Sequence, residues 1–169
     1  MLIEARLVDI TTLAVDAIVN AANTGLARGG GVCGAIFRAA GPELDEACAR
    51  VAPCPTGQAR LTPGFGLPAT FAIHAVGPVW RGGNAGEREL LAQAYRSALT
   101  LARAERLGSI AFPAISTGIY GYPLREATAI AVATVRAEAA NPGSLNHVIF
   151  ACYNQQVLDV YEEALAGNM

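Results

Sequence analysis

The stretch from Ala17 to Ala40 constrains this chain more than any other. An apolar run, Ala17-Ile18-Val19, leads through Asn20-Ala-Ala-Asn23 into three consecutive glycines, Gly29, Gly30 and Gly31, and then into the small, apolar segment Val32-Cys33-Gly34-Ala35-Ile36-Phe37. The first run reads as a buried strand, and the segment after the glycines as a helix. Consecutive glycines leave N–H groups exposed and accept φ > 0 at little cost. A helix that begins there turns unpaired N–H groups and the positive end of its dipole toward the loop, an arrangement that favours an anion such as pyrophosphate. A flexible surface loop is the plain alternative. Two asparagines wedged between a buried strand and the glycines speak against it.

The rest of the chain supplies the same alternation. Leu2 to Asp9 alternates apolar and polar residues and reads as a half-exposed strand near a sheet edge, ended by Asp9. Helices are expected up to Gly41, from Pro42 to about Val51, over Glu87 to Glu105, over Leu124 to Ala140 and over Val157 to Ala166. Further strands are expected at Gln58 to Thr62, Thr70 to Val76, Ile110 to Phe112 and Val148 to Cys152. About six strands among five helices imply an α/β fold, a three-layer α/β/α sandwich on a central mixed sheet. The 169 residues, 53% hydrophobic and 15% charged, are expected to form one domain over 1–169, without repeat or linker.

A second loop carries chemistry. Phe112-Pro-Ala-Ile-Ser116-Thr117-Gly118-Ile119-Tyr120-Gly121-Tyr122-Pro123 follows a buried strand and precedes a helix, with Pro123 suited to its first position. In open α/β sheets a ligand lies outside the carboxyl ends of the strands, so both loops are expected to close on one diphosphate from opposite sides.

Composition narrows the chemistry. All 12 Lys+Arg residues are arginines, which excludes a Walker-type lysine and Schiff-base chemistry. A net charge of −2 provides no basic field for a nucleic-acid backbone. Cys33, Cys48, Cys54 and Cys152 show no CxxC pairing and lie far in sequence from a ligand cluster with His74 and His147, so no metal is expected and the thiols are expected reduced and mostly buried. No run approaches a membrane span and no leader pattern opens the chain, which points to a cytosolic protein.

Asp9-Ile10-Thr11, Val15-Asp-Ala-Ile-Val-Asn20-Ala-Ala-Asn23, Gly29-Gly-Gly-Val32, Ala39-Ala-Gly41-Pro42, Cys54-Pro-Thr-Gly57, His74-Ala-Val-Gly77-Pro78 and Phe112-Pro-Ala-Ile-Ser-Thr-Gly-Ile-Tyr-Gly121 together resemble the macrodomain family, with the MacroD-type branch nearest, over essentially the whole chain. The resemblance implies a cleft for ADP-ribose, in a protein that binds it or hydrolyses its esters: O-acetyl-ADP-ribose, or mono-ADP-ribose on acidic side chains. It requires no cofactor. By position, Asp9 would accept from the adenine amino group with Ile10 beside it, and Tyr153 would stack on adenine. Gly29, Gly30, Gly31, Val32 and Cys33 would lie along the diphosphate. Ser116, Thr117, Gly118, Ile119 and Tyr120 would close over it. Asn23 would hold the distal ribose near its reactive carbon, with Tyr120 as its catalytic companion, and Asn20 would fasten the loop. The plain alternative for Asp9 is the acceptor of an Asx turn. His74 reads as a satisfied core histidine and Tyr122 as a packing residue, and ordinary amphipathic packing is the plain alternative for Tyr153 and Tyr161.

The departures bear on activity. MacroD-type hydrolases usually carry an aspartate where this chain has Cys33, and commonly a histidine where it has Phe37; Arg28 and Val8 replace common glycines. General-base assistance contributes about 10²–10⁴ in rate, so loss of the carboxylate leaves binding intact while slowing hydrolysis. A pure ADP-ribose reader is therefore the alternative. Cys33 also suggests a cysteine phosphatase, but only four residues separate it from Arg38, where that chemistry needs five. The glycines also satisfy GxGxxG, yet they start too far beyond the strand, and no acidic residue follows to hold a ribose.

Overall fold

The computed structural model describes residues 1–169. Six strands form one sheet: β1 (Leu2–Leu7), β2 (Ala17–Ala21), β3 (Ala59–Pro63), β4 (Phe71–Ala75), β5 (Ser109–Phe112) and β6 (His147–Cys152). Their order across the sheet is β1-β6-β5-β2-β4-β3. Every pairing is parallel except β3 with β4, which makes the sheet mixed. Parallel strands need covering on both faces. Two helices, α1 (Gly31–Ala40) and α2 (Pro42–Val51), cover one face, and α3 (Glu87–Ala104), α4 (Leu124–Glu138) and α5 (Gln155–Leu165) cover the other. The result is the expected α/β/α sandwich.

Local sequence explains each layer. The central strand β2 is buried over Ala17 to Asn20. Its alternate side chains serve opposite cores: Ala17 and Val19 join the cluster under α3, α4 and α5, while Ile18 joins the one under α1 and α2. On α3 the helical spacing of Leu91, Tyr95, Ala98, Leu99 and Ala102 puts all five against the sheet, and they are at most 1% exposed. Fully burying a leucine contributes roughly 1.5–3 kcal/mol. Pro42 opens α2 at a position where its missing N–H has no acceptor to lose, and Glu43 and Asp45 face the positive helix end.

The boundaries differ slightly from expectation. Asn154 caps α5 through a 2.9 Å bond from the Val157 N–H to its Oδ1, so that helix starts at Gln155 rather than Val157. Pro123 sits at the N-cap of α4, one residue before the helix, and α4 ends at Glu138. Ile10–Thr12 forms a single 3-10 turn after β1 that periodicity does not predict. No helix is long and apolar enough to cross a membrane.

The chain leaves β2 toward the α1 face and leaves β5 toward the α4 face, although β2 and β5 are neighbours in the sheet. Between these diverging loops a crevice opens at the carboxyl ends of the strands.

Candidate functional site

A cavity of about 700 Å³ fills that crevice. Its walls come from 8–10 after β1, 21–23 at and beyond the end of β2, the glycine loop and first turn of α1, Gly77 after β4, residues 113–120 after β5, and Ala151 and Tyr153 at and beyond the end of β6. The two loops singled out from sequence therefore face each other across one space. Asp9 stands beyond β1 and Asn23 beyond β2, three strand positions apart in the sheet order, which at ~4.8 Å per strand is a separation of about 14 Å. The site is an elongated trough across four strand ends.

The glycine loop is shaped for close approach. Gly31 has φ of 56°, where a side chain would be strained, and Gly30 is the N-cap of α1 with no side chain capping it. A Cβ on Gly34 would lie 2.6 Å from the Gly29 carbonyl oxygen, so the helix can sit tight under the loop only with glycine there. The N–H groups of Gly29 and Gly30 donate to no protein acceptor. Those of the first turn of α1 have none within the helix.

The second loop behaves alike. The N–H groups of Ser116, Gly118, Ile119 and Tyr120 have no protein acceptor, and the buried Ser116 hydroxyl has no hydrogen-bond partner. Ser116 holds φ of 68°, a non-glycine left-handed conformation that carries strain of order ~1–3 kcal/mol and clusters at functional sites. Gly77 makes this possible, since a Cβ there would come within 2.3 Å of Ser116 Oγ. The loops almost touch: a Cβ on Gly30 would lie 3.2 Å from Ile119 Cδ1.

Asp9 is the sole charged side chain in the cavity wall, and no arginine reaches it. One of its oxygens, Oδ1, caps the 3-10 turn, accepting from Thr11 N at 3.0 Å and Thr11 Oγ1 at 2.8 Å. The Asx-type cap and a lining position thus coexist, with Oδ2 left over. Tyr153 is 75% exposed at the rim, an aromatic face without a partner. Ile10, Val32, Cys33 and Thr117 also line the wall. Burial raises the pKa of the Tyr120 phenol, and the neighbouring Cys33 thiol adds to the effect. Tyr120 therefore stands as a neutral donor.

The loop-fastening part that sequence suggests for Asn20 falls to Asn23. Asn23 fastens the loop: its Oδ1 accepts from Ala27 N at 3.0 Å and its Nδ2 donates to Ala27 O at 2.9 Å. It also lines the cavity, and each amide atom keeps one further bonding site. Asn20 neither lines the cavity nor binds the loop, because its position in β2 points it toward α2, where Nδ2 lies 3.0 Å from His74 Nδ1.

Sequence reading also leaves unnoticed the cluster around that histidine. His74 Nε2 lies 2.9 Å from Thr62 Oγ1 and 3.5 Å from Cys48 Sγ. Thiol, imidazole and amide imitate a nucleophilic constellation, but the site is closed to solvent. Burial lowers the His74 pKa to about 4 and raises that of Cys48 to about 12, so both are neutral and structural. All four cysteines are free and buried.

An α/β sandwich with a cleft of unpaired backbone donors at its strand ends is a protein built to hold an anionic, elongated ligand. The chain belongs to the Macro domain family, whose profile matches residues 19–131. A Macro domain-containing protein of Chlorobaculum tepidum is 59% identical over 99% of this chain and 97% of its own length. An O-acetyl-ADP-ribose deacetylase of Klebsiella pneumoniae is 52% identical, covering 97% of this chain and 96% of itself. Among solved structures, a Trypanosoma brucei macrodomain in complex with ADP-ribose superimposes with a TM-score of 0.90 at 44% identity, covering 96% of this chain and 68% of that one.

Proposed function

We propose that the cavity binds ADP-ribose and that the protein hydrolyses ADP-ribose esters, either O-acetyl-ADP-ribose or mono-ADP-ribose on acidic side chains. The observation that carries this reading is a trough with two facing rows of unpaired backbone N–H groups and no cationic side chain. Such donors suit a diphosphate, which needs many short hydrogen bonds more than one point charge. Asp9 Oδ2 and the face of Tyr153 take the adenine, with Ile10 beneath it. At the other end Asn23 and Tyr120 hold the distal ribose.

Hydrolysis follows from positioning. A water attacks the ester carbonyl carbon, passing a proton to a diphosphate oxygen. The carbon–oxygen bond to the ribose breaks, that proton returns to the ribose oxygen, and ADP-ribose and a carboxylic acid leave. Fixing water and ester in register supplies much of the barrier reduction without a protein carboxylate. A second reading, a reader that binds without turnover, is favoured by one observation. The wall beside Asn23 and Tyr120 carries the Cys33 thiol, and the nearest wall carboxylate is Asp9 at the far end.

Calorimetric titration with ADP-ribose, then turnover assays on O-acetyl-ADP-ribose and on a protein ADP-ribosylated at glutamate, test both. The expected outcome is binding together with turnover that falls by about 10² or more in Asn23→Ala, the usual penalty for misplacing reacting groups. Binding without turnover makes the protein a reader. Absence of binding overturns the assignment of the cavity.

A further inference from the structure

Glu87 opens α3 and yet is only 1% exposed. A carboxylate so withdrawn from water needs donors to replace its hydration. Its Oε2 accepts from the backbone N–H groups of Arg81 and Gly83, both at 2.9 Å, and its Oε1 from that of Ala85 at 2.6 Å. The loop 81–85 is thus wrapped around one side chain. Immediately before it, Trp80 donates its backbone N–H to the Tyr120 carbonyl oxygen at 2.8 Å, and its indole packs on Tyr122 with ring centroids 4.6 Å apart. A Cβ on Gly83 would lie 3.0 Å from Trp80 Cη2, so the loop also backs the indole.

The second cavity loop needs such an outside hold. Its N–H groups at Ser116, Gly118, Ile119 and Tyr120 are left free, so most of its own donors cannot define its shape. Its carbonyls do that instead: Ser116 O receives Tyr122 N, Gly118 O receives Gly121 N, and Tyr120 O receives Trp80 N from the neighbouring loop. We infer that Glu87 is a positioning residue for the ligand: by holding loop 81–85, and through it Trp80, it sets where Ile119 and Tyr120 stand over the cavity. This rests on the reading of Tyr120 as facing ADP-ribose. The backbone donors, that of Arg81 foremost, hold the Glu87 carboxyl down to about 2, so the brace stays charged at any ordinary pH.

Glu87→Ala and Glu87→Gln test it, the glutamine keeping one carbonyl acceptor. Trp80 is the sole tryptophan and reports directly on the linkage. In Glu87→Ala its emission shifts to the red, its amide exchanges faster, and ADP-ribose binds roughly tenfold more weakly, whereas adenosine, which lacks the diphosphate and the distal ribose, binds within about twofold of wild type. Glu87→Gln falls between. Unchanged ADP-ribose affinity overturns the inference, as does a parallel loss for adenosine, which marks general loosening of the fold. Should Glu87→Ala fail to fold, the glutamine variant carries the same comparison. A wild-type protein that binds no ADP-ribose overturns the functional reading instead. In that case faster exchange of the Trp80 amide in the Glu87 variants still supports the brace, and unaltered exchange overturns it.

Discussion

Cys33 occupies the cavity wall in the first turn of α1, where its thiol neighbours the Tyr120 phenol and lies 3.8 Å from the Ala27 carbonyl oxygen. A cysteine there brings no carboxylate to take a proton from water, so the site lacks that general base while the backbone donors proposed to hold the diphosphate are untouched. Cys33→Asp returns a carboxylate to that point. Turnover of O-acetyl-ADP-ribose is expected to rise by about 10²–10⁴, the usual worth of general-base assistance, while calorimetric affinity for ADP-ribose stays equal or weakens through like-charge repulsion. Unchanged turnover would remove this position from the chemistry. The same scale shows how residue identity misleads. Cys48, His74 and Asn20 carry the side chains of a nucleophilic site, and burial of all three turns them into core.

The two loops show why a helix or strand is legible where its use is not. Glycines after a buried strand announce Gly29 to Gly31, and small residues before Pro123 announce 113–122, because both patterns are local. Their mutual distance is not local. It depends on Gly77, which arrives from β4 and leaves Ser116 space that any side chain would take, since a Cβ would also come within 2.5 Å of Ile115 Cγ2. Gly77→Ala is expected to push the second loop outward, destabilising the fold by about 1–3 kcal/mol as overpacking does. It should also weaken ADP-ribose binding by roughly tenfold or more. Urea unfolding and calorimetry on the purified variant check both effects. Full affinity would mean that the loop adapts freely.

For the whole molecule, the buried His74 couples folding to pH. Folded, it stays neutral down to about 4; unfolded, it protonates near 6.5. Between these values the unfolded chain binds the extra proton, so stability is complete above about 6.5, falls as pH falls toward about 4, and is flat in this respect below. That contribution is about 3 kcal/mol. Glu87 acts in a separate, lower window, from 4.5 down to about 2. Urea unfolding at pH 7 and pH 4.5 is expected to show His74→Gln losing much less stability between the two than wild type; equal losses would contradict the buried neutral imidazole.

Sequence by itself determined the layers, the edge position of β1, the glycine loop and the second loop, because each rests on side-chain periodicity or on residues adjacent in the chain. Family resemblance supplied the proposed ligand and pointed to residues that line the cavity. Only the tertiary structure decided that Asn23 rather than Asn20 ties the loop, since the packing of α2 on the sheet turns Asn20 to His74 and the path of the chain beyond β2 brings Ala27 back to Asn23. It alone joined Glu87 to Trp80 and Trp80 to Tyr120. That linkage runs through backbone N–H and carbonyl groups, which every residue carries and no sequence pattern can reveal.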